Sequence, residues 1–262
     1  MAKKIVITSG KGGVGKTTVS VNLGCALADA GARVVMMDID FGLNNLDVVM
    51  GVENKVVFDM RDVFEGRCRL KQALIQDTKR KNLYILPSNS LNTQSPVTGQ
   101  NVKVLCESLS GAFDYVILDC PAGIDIGFHR AVSVADEAVV VTTPTIASLR
   151  DADKVLNILS RYRMDNVGIV VNRVRGDLIM GEQMMTPFDV EELLKTKLLG
   201  ILPEEDAVFL SCGRGLPKRS DSFKAYKILA NNVMTGKRKI YNVTGRYSGI
   251  LGSIRRSIKR SV

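Results

Sequence analysis

Short apolar runs rich in β-branched residues alternate along this chain with stretches whose apolar positions recur at helical spacing. The segments 4–8, 33–38, 83–87, 115–119, 137–143, 167–172 and 198–202 read as strands, and 17–30, 102–109, 149–162, 187–196 and 222–234 read as helices. This rhythm predicts β-α-β units with right-handed crossovers, hence the α/β class: a doubly wound, mostly parallel sheet with helices on both faces. Ligands of such sheets sit beyond the carboxyl ends of the strands, and the polar motifs of this chain follow its strands directly.

The pattern changes at the end of the chain. Ile250, Leu251, Ile254, Ile258 and Val262 fall on one stripe at helical spacing, with Arg255, Arg256, Lys259 and Arg260 on the flanks and the opposite side. A basic amphipathic helix of this kind belongs at an interface, its stripe in the acyl boundary and its charges at anionic headgroups. It is shorter than the roughly 12–15 residues an isolated helix needs in water, so the expectation is helix formation on lipid. Three parts follow: a main domain over 1–236, a polar, basic, glycine-containing linker over 237–248, and a membrane-targeting helix over 249–262.

Charge supports that division. The 262 residues carry a formal +9, yet ten Lys or Arg and no Asp or Glu lie from Ser222 onward, which leaves residues 1–221 at −1. The body is near neutral and the tail is the basic object. Beyond Met234 only Tyr241 and Tyr247 offer stacking surfaces, which argues against a nucleic-acid arm. Hydrophobic residues make up 45% of the chain, enough for one sizeable core. The five cysteines, Cys25, Cys68, Cys106, Cys120 and Cys212, are odd in number and show no C-x-x-C spacing. They read as reduced, mostly buried thiols of a cytosolic protein. Lys3 and Lys4 precede only a three-residue apolar run, so no leader is expected, and no run approaches a membrane span.

The chemistry starts at Gly10-Lys11-Gly12-Gly13-Val14-Gly15-Lys16-Thr17, followed by Thr18, which fits G-x-x-x-x-G-K-[ST] between a strand and a helix. Glycines let backbone N–H groups turn toward phosphate oxygens, and the helix N-terminus adds a favourable dipole. Lys16 is expected on the β- and γ-phosphates and the Thr17 hydroxyl on Mg²⁺. Asp119 ends an apolar strand in the Walker-B manner, delivering a carboxylate to the metal from a rigid strand end, and Asp38 and Asp40 end another.

With its extra lysine at Lys11, the glycine loop has the deviant Walker A form; Asp38-Ile39-Asp40-Phe41-Gly42-Leu43-Asn44-Asn45 looks like a switch I, and Asp119-Cys120-Pro121-Ala122-Gly123 like a switch II. Together these resemble the MinD/ParA class of P-loop ATPases, most closely its MinD branch, from Met1 to about Met234, with a similar tail beyond. The resemblance implies a Mg²⁺-dependent ATPase (ATP and water to ADP and phosphate) that dimerises on ATP. It implies that Lys11 crosses the dimer interface to the partner's phosphates, in the manner of a finger supplied in trans. By the same resemblance Asp40 orients water, Asp38 and Asp119 serve the Mg²⁺ shell, Asn44 and Asn45 lie near the γ-phosphate, and Gly123 lets switch II approach it. Asn172 would read adenine, with Pro203 to Asp206 lining the other side. Asn172-Arg173-Val174-Arg175 stands where a GTPase would show N-K-x-D, which favours ATP.

The implied role is a cytoplasmic switch, peripheral on the inner face of the cell membrane or its organelle equivalent, that positions the division site. Its expected partners are a second copy of the chain, anionic lipid, a MinC-type division inhibitor and a MinE-type ATPase activator, with Asp151 in the region of such contacts. The alternatives are a ParA-type DNA- or plasmid-partitioning ATPase, which predicts a basic patch on the body, and a flagellar-number regulator, which predicts an N-terminal extension. An iron protein of the nitrogenase type needs cluster cysteines at a dimer face. His129, the single histidine, reads as a surface residue at a helix start.

Overall fold

The computed structural model describes residues 1–41, 45–88, 97–211, 215–249 and Gly252. Asn44 and the stripe and flanking residues of the tail (Ile250, Leu251, Ile254, Arg255, Arg256, Ile258, Lys259, Arg260, Val262) lie outside them. Among the described residues, eight strands form one sheet: β1 (Lys3–Thr8), β2 (Val34–Asp38), β3 (Ile75–Gln76), β4 (Leu83–Leu86), β5 (Tyr115–Asp119), β6 (Glu137–Thr142), β7 (Asn166–Val174) and β8 (Leu198–Pro203), in the order β3-β4-β2-β5-β1-β6-β7-β8. All pairings are parallel except β3 with β4. The fold class is that expected from the alternating pattern.

The helices are α1 (Lys16–Asp29), α2 (Leu46–Met50), α3 (Met60–Phe64), α4 (Leu70–Ala73), α5 (Gly99–Leu109), α6 (Ile126–Val132), α7 (Ile146–Leu159), α8 (Gly176–Met180), α9 (Pro187–Leu194), α10 (Asp206–Leu210) and α11 (Asp221–Thr235). Side chains alternate across each strand, so Ile5 and Ile7 of β1, with Val34 and Met36 of β2, join one core beneath α1 and α11. Val6, Val35 and Met37 join the other, beneath α5, α6, α7 and α9. Both faces are covered, which is why the central strands are apolar without interruption. Gly24 brings α1 close to the sheet: a Cβ there would stand 2.5 Å from Met36 Sδ.

The chain runs outward from β1 through β2 to β4, returns to β5, then crosses to β6, β7 and β8. Direction therefore reverses around β1, and the loops after β1, β2 and β5 gather at the middle of the sheet's carboxyl end, where such folds bind ligands.

Segment 237–248, read from sequence as a linker, is held against the domain. Lys239 donates its N–H to Asn232 Oδ1 and accepts from Asn232 Nδ2, Arg238 pairs with Glu191, and Arg246 Nε lies 2.6 Å from Asp221 Oδ2. Its composition is that of a linker, but α11 and α9 supply the partners that fix it.

Among the described residues, no helix is long and apolar enough to cross a membrane. Burial pushes the thiols of Cys106 and Cys120 up to about 12 and that of Cys25 up to about 11. The thiolate is the reactive form. A brief pulse of iodoacetamide at pH 8, read by peptide mass spectrometry, is therefore expected to leave Cys106 and Cys120 unmodified in folded protein and to label both in denaturant.

Candidate nucleotide site

The glycine loop leaves β1 at Thr8 and enters α1 at Lys16. Gly13 and Gly15 have φ of 80° and 96°, the left-handed region that costs other residues energy. Gly15 precedes α1 without any side-chain cap, and the first turn holds no acidic residue. The N–H groups of that turn have no intrahelical acceptors, so an uncapped, positive helix end faces the loop.

Two further contacts set the loop. Asn172, at the carboxyl end of β7, donates Nδ2 to the Val14 carbonyl at 2.8 Å in a buried bond, and Ser9 Oγ donates to the Lys11 carbonyl at 2.8 Å. A Cβ at Gly15 would meet Asn172 Nδ2 at 2.5 Å, and one at Gly10 would meet the backbone oxygen of Asp151 at 2.1 Å. The start of α7 thus rests on the loop, which only glycine allows.

The two lysines differ in setting. Lys16 is buried. Burial lowers its pKa, opposed by the charges of Asp119, Cys120 and Asp40. Lys11 is exposed, as are Gly12 and Gly13.

Asp38 and Asp119 face each other in register at the ends of β2 and β5. Both are buried. Burial raises Asp119 to about 6, against hydrogen bonds from Ser20 and Thr17, and raises Asp38 well above the usual carboxylate range, with Asp119's charge adding to it. Ser20 Oγ donates to Asp119 Oδ1 at 2.6 Å; Asp38 accepts from the N–H groups of Asp40 (2.9 Å), Asn45 (3.2 Å) and Leu46 (3.3 Å). Two crowded, buried carboxylates beside the Thr17 hydroxyl are a hard oxygen donor set of the kind a divalent cation favours. Asp40 is half-buried, and its carbonyl accepts from Ser88 Oγ at 3.1 Å. Gly123, φ 91°, donates its N–H to the Ser9 carbonyl at 3.4 Å, laying the loop after β5 along the glycine loop.

On the other side of Thr18 opens a cavity of about 330 Å³, lined among others by Asn172, Arg173, Pro203, Glu204, Asp206 and Phe209. Asn172, Pro203 and Asp206, expected around adenine, are brought together there with Gly15 and Thr18. Asn172 also braces the glycine loop, a duty the motif does not announce. Ser20 and Ser9 are not singled out by the sequence reading. Ser20 alone carried a signal, lying one helical turn beyond Thr17 on the face that meets β5. His129 is exposed on α6, its Nδ1 bonded to Tyr162 Oη at 2.5 Å and apart from the site.

A glycine loop that caps a helix with backbone N–H groups, a buried lysine within it and strand-end carboxylates opposite define a P-loop nucleoside triphosphatase. A ParA family model, described as an NUBPL iron-transfer P-loop NTPase, matches residues 1–233. The chain is 46% identical to a putative septum site-determining protein MinD of Guillardia theta over 217 residues, 83% of this chain and 81% of that protein. It is similar in structure to the MinC:MinD cell division protein complex of Aquifex aeolicus (TM-score 0.83, 37% identity, 91% of this chain and 97% of the other). It is likewise similar to the MinD of Pyrococcus horikoshii OT3 complexed with Mg-ADP (TM-score 0.79, 31% identity, 90% and 97%). The chain belongs to the MinD family within the ParA-type P-loop NTPases.

Proposed function

We propose that the chain is a Mg²⁺-dependent ATPase working as a membrane-cycling switch that positions the cell-division site. The observation that carries this reading is the pair of lysines in one glycine loop: Lys16 buried against Asp119, Lys11 exposed at the rim. A buried lysine suffices to hold a nucleotide; the exposed one gains a role when a second copy brings its own phosphates to it.

In this reading the N–H groups at the start of α1 and the Lys16 ammonium hold the β- and γ-phosphates of ATP, and Asn172 with Pro203 and Asp206 receives the base. Thr17 and Asp119, with Asp38 behind, would hold Mg²⁺, as their oxygen donor set fits. The metal when bound neutralises charge that develops between the β- and γ-oxygens. Asp40, half-buried beside that set, orients the attacking water, Asn44 and Asn45 approach the γ-phosphate, and Lys11 from the partner copy stabilises the transition state.

The tail turns dimerisation into localisation. One short amphipathic helix binds lipid weakly, and two on one dimer raise avidity by roughly 10²–10⁴ because the second insertion is intramolecular. ATP favours the dimer, the dimer favours anionic membrane, and hydrolysis reverses both. The protein therefore works in the cytoplasm and on the inner face of the cell membrane, or the organelle equivalent. A MinC-type inhibitor is its partner by likeness to the Aquifex complex, and a MinE-type activator would accelerate hydrolysis. The near-neutral body disfavours DNA partitioning.

Sedimentation with anionic liposomes tests this, using the full chain and a chain ending at Ser248. The full chain is expected to pellet with ATP and to stay soluble with ADP, and the shortened chain to stay soluble with either. If the full chain remains in the supernatant with ATP, membrane cycling is wrong, and DNA binding is the next measurement.

A further inference from the structure

The loop Pro203–Asp206 separates two hollows. On one side is the cavity assigned above to the nucleotide base; on the other lies a smaller one, about 170 Å³, lined by Glu204, Glu205, Asp206, Asp221, Tyr241 and Arg246 among others. The loop is thus a thin wall, and its fixings lie on the far side. The Glu205 carboxylate accepts the N–H of Ser222 at 2.8 Å and of Asp221 at 3.4 Å, the first turn of α11. Asp221 in turn is gripped by Arg246 Nε at 2.6 Å, by Lys224 at 3.3 Å and by the Tyr241 hydroxyl.

Arg246 and Tyr241 belong to the segment just before the tail, and that segment has a built seat. The Val243 carbonyl lies so close to Gly176 that a Cβ there would stand 2.1 Å from it, with the Tyr247 ring at 3.0 Å. Asn242 Oδ1 accepts the N–H groups of Thr244 (3.2 Å) and Gly245 (3.0 Å), closing a turn that aims Arg246 at Asp221. At the other end Asn232 clasps Lys239 through both its N–H and its carbonyl.

We propose that residues 238–247 form a strap that positions the base-binding wall, with Arg246 and Tyr241 as positioning residues acting through Asp221 and Glu205. The inference rests on the nucleotide reading above. Because coupling between two binding events is reciprocal, a base seated against Pro203 and Asp206 holds the strap down, and a seated strap tightens the grip on the base. The phosphates, held by the glycine loop on the opposite side of Thr18, do not feel it. The root of the tail is thereby tied to the part of the site that reads the base.

The test compares ADP with inorganic pyrophosphate by calorimetry, in full-length wild type, Arg246→Ala, Arg246→Lys and Tyr241→Phe. Arg246→Ala is expected to weaken ADP about fivefold, the modest effect of a half-exposed ion pair, while pyrophosphate affinity stays unchanged. Arg246→Lys recovers most of the loss, and Tyr241→Phe, which removes one hydroxyl, gives a smaller shift of the same kind. In the wild-type chain, ADP slows tryptic cleavage after Lys239 and Arg246, and pyrophosphate does not. Equal ADP affinity in wild type and Arg246→Ala, parallel loss of both ligands, or cleavage indifferent to ADP overturns the strap while leaving the nucleotide site intact. A wild-type chain that binds neither ligand overturns the nucleotide reading itself.

Discussion

Lys11→Ala is expected to bind ADP within about threefold of wild type and to lose ATP turnover by about 10³-fold, the scale of a finger supplied in trans. Lys16→Ala is the contrasting variant. Lys16 is buried among Asp119, Cys120 and Asp40; in the proposed reading its charge serves the phosphates of its own chain, and its removal is expected to abolish nucleotide binding. Lys11 sits exposed at the outer rim and has no ion pair among the described residues. Single-turnover hydrolysis and ADP titration on the two variants separate the roles. Loss of ADP binding in Lys11→Ala as complete as in Lys16→Ala would mean that Lys11 serves its own phosphates, and the dimer-borne mechanism would fall.

The second large effect comes from a methyl group. Gly15→Ala must adopt φ near 96° and brings a Cβ to within 2.5 Å of Asn172 Nδ2. The left-handed backbone costs about 1–2 kcal/mol. If Asn172 withdraws, the buried Val14 carbonyl loses its donor, at about 1–3 kcal/mol. The two costs together correspond to a nucleotide affinity lower by roughly 30- to 4,000-fold. Asn172→Ala removes the bond without the backbone cost and is expected to lose roughly 5- to 150-fold. Equal losses in the two variants would show that the backbone conformation at Gly15 contributes little. Thermal unfolding of both proteins, measured alongside, reports whether the sheet itself is affected.

The seven long strands could be read from sequence because each is built on an apolar run buried on both faces, and the five long helices because their stripes span two turns or more. The two residues of β3 and the four to seven residues of α2, α3, α4, α6, α8 and α10 are too short to establish a period. Strand β7 was expected to end at Asn172 but runs to Val174, through Arg173 at φ 56° and a register shift against β8, an irregularity that side-chain pattern does not encode. In the site, the glycines, both lysines and the strand-end aspartates were legible because phosphate and metal chemistry constrain residue types locally. The contacts that hold them were not. Asn172 and Val14 are 158 positions apart, Ser20 and Asp119 are 99, and Asp151 meets Gly10 only after β6 has been laid beside β1. Such pairs arise from topology, and their residue types alone point to helix caps or solvent.

The manner in which the sheet ends bears on how copies of this chain can meet. One flank is the two-residue antiparallel β3. At the other, Asn232 donates to the Leu199 carbonyl of β8 and holds Lys239 by both of its backbone groups. An amide side chain thus occupies one hydrogen-bonding position that an added strand would otherwise take, and an edge so blunted is a poorer template for fibril growth. If copies gather at high local density on a surface and disperse again, as proposed above, this edge protects them from irreversible backbone zipping between neighbours.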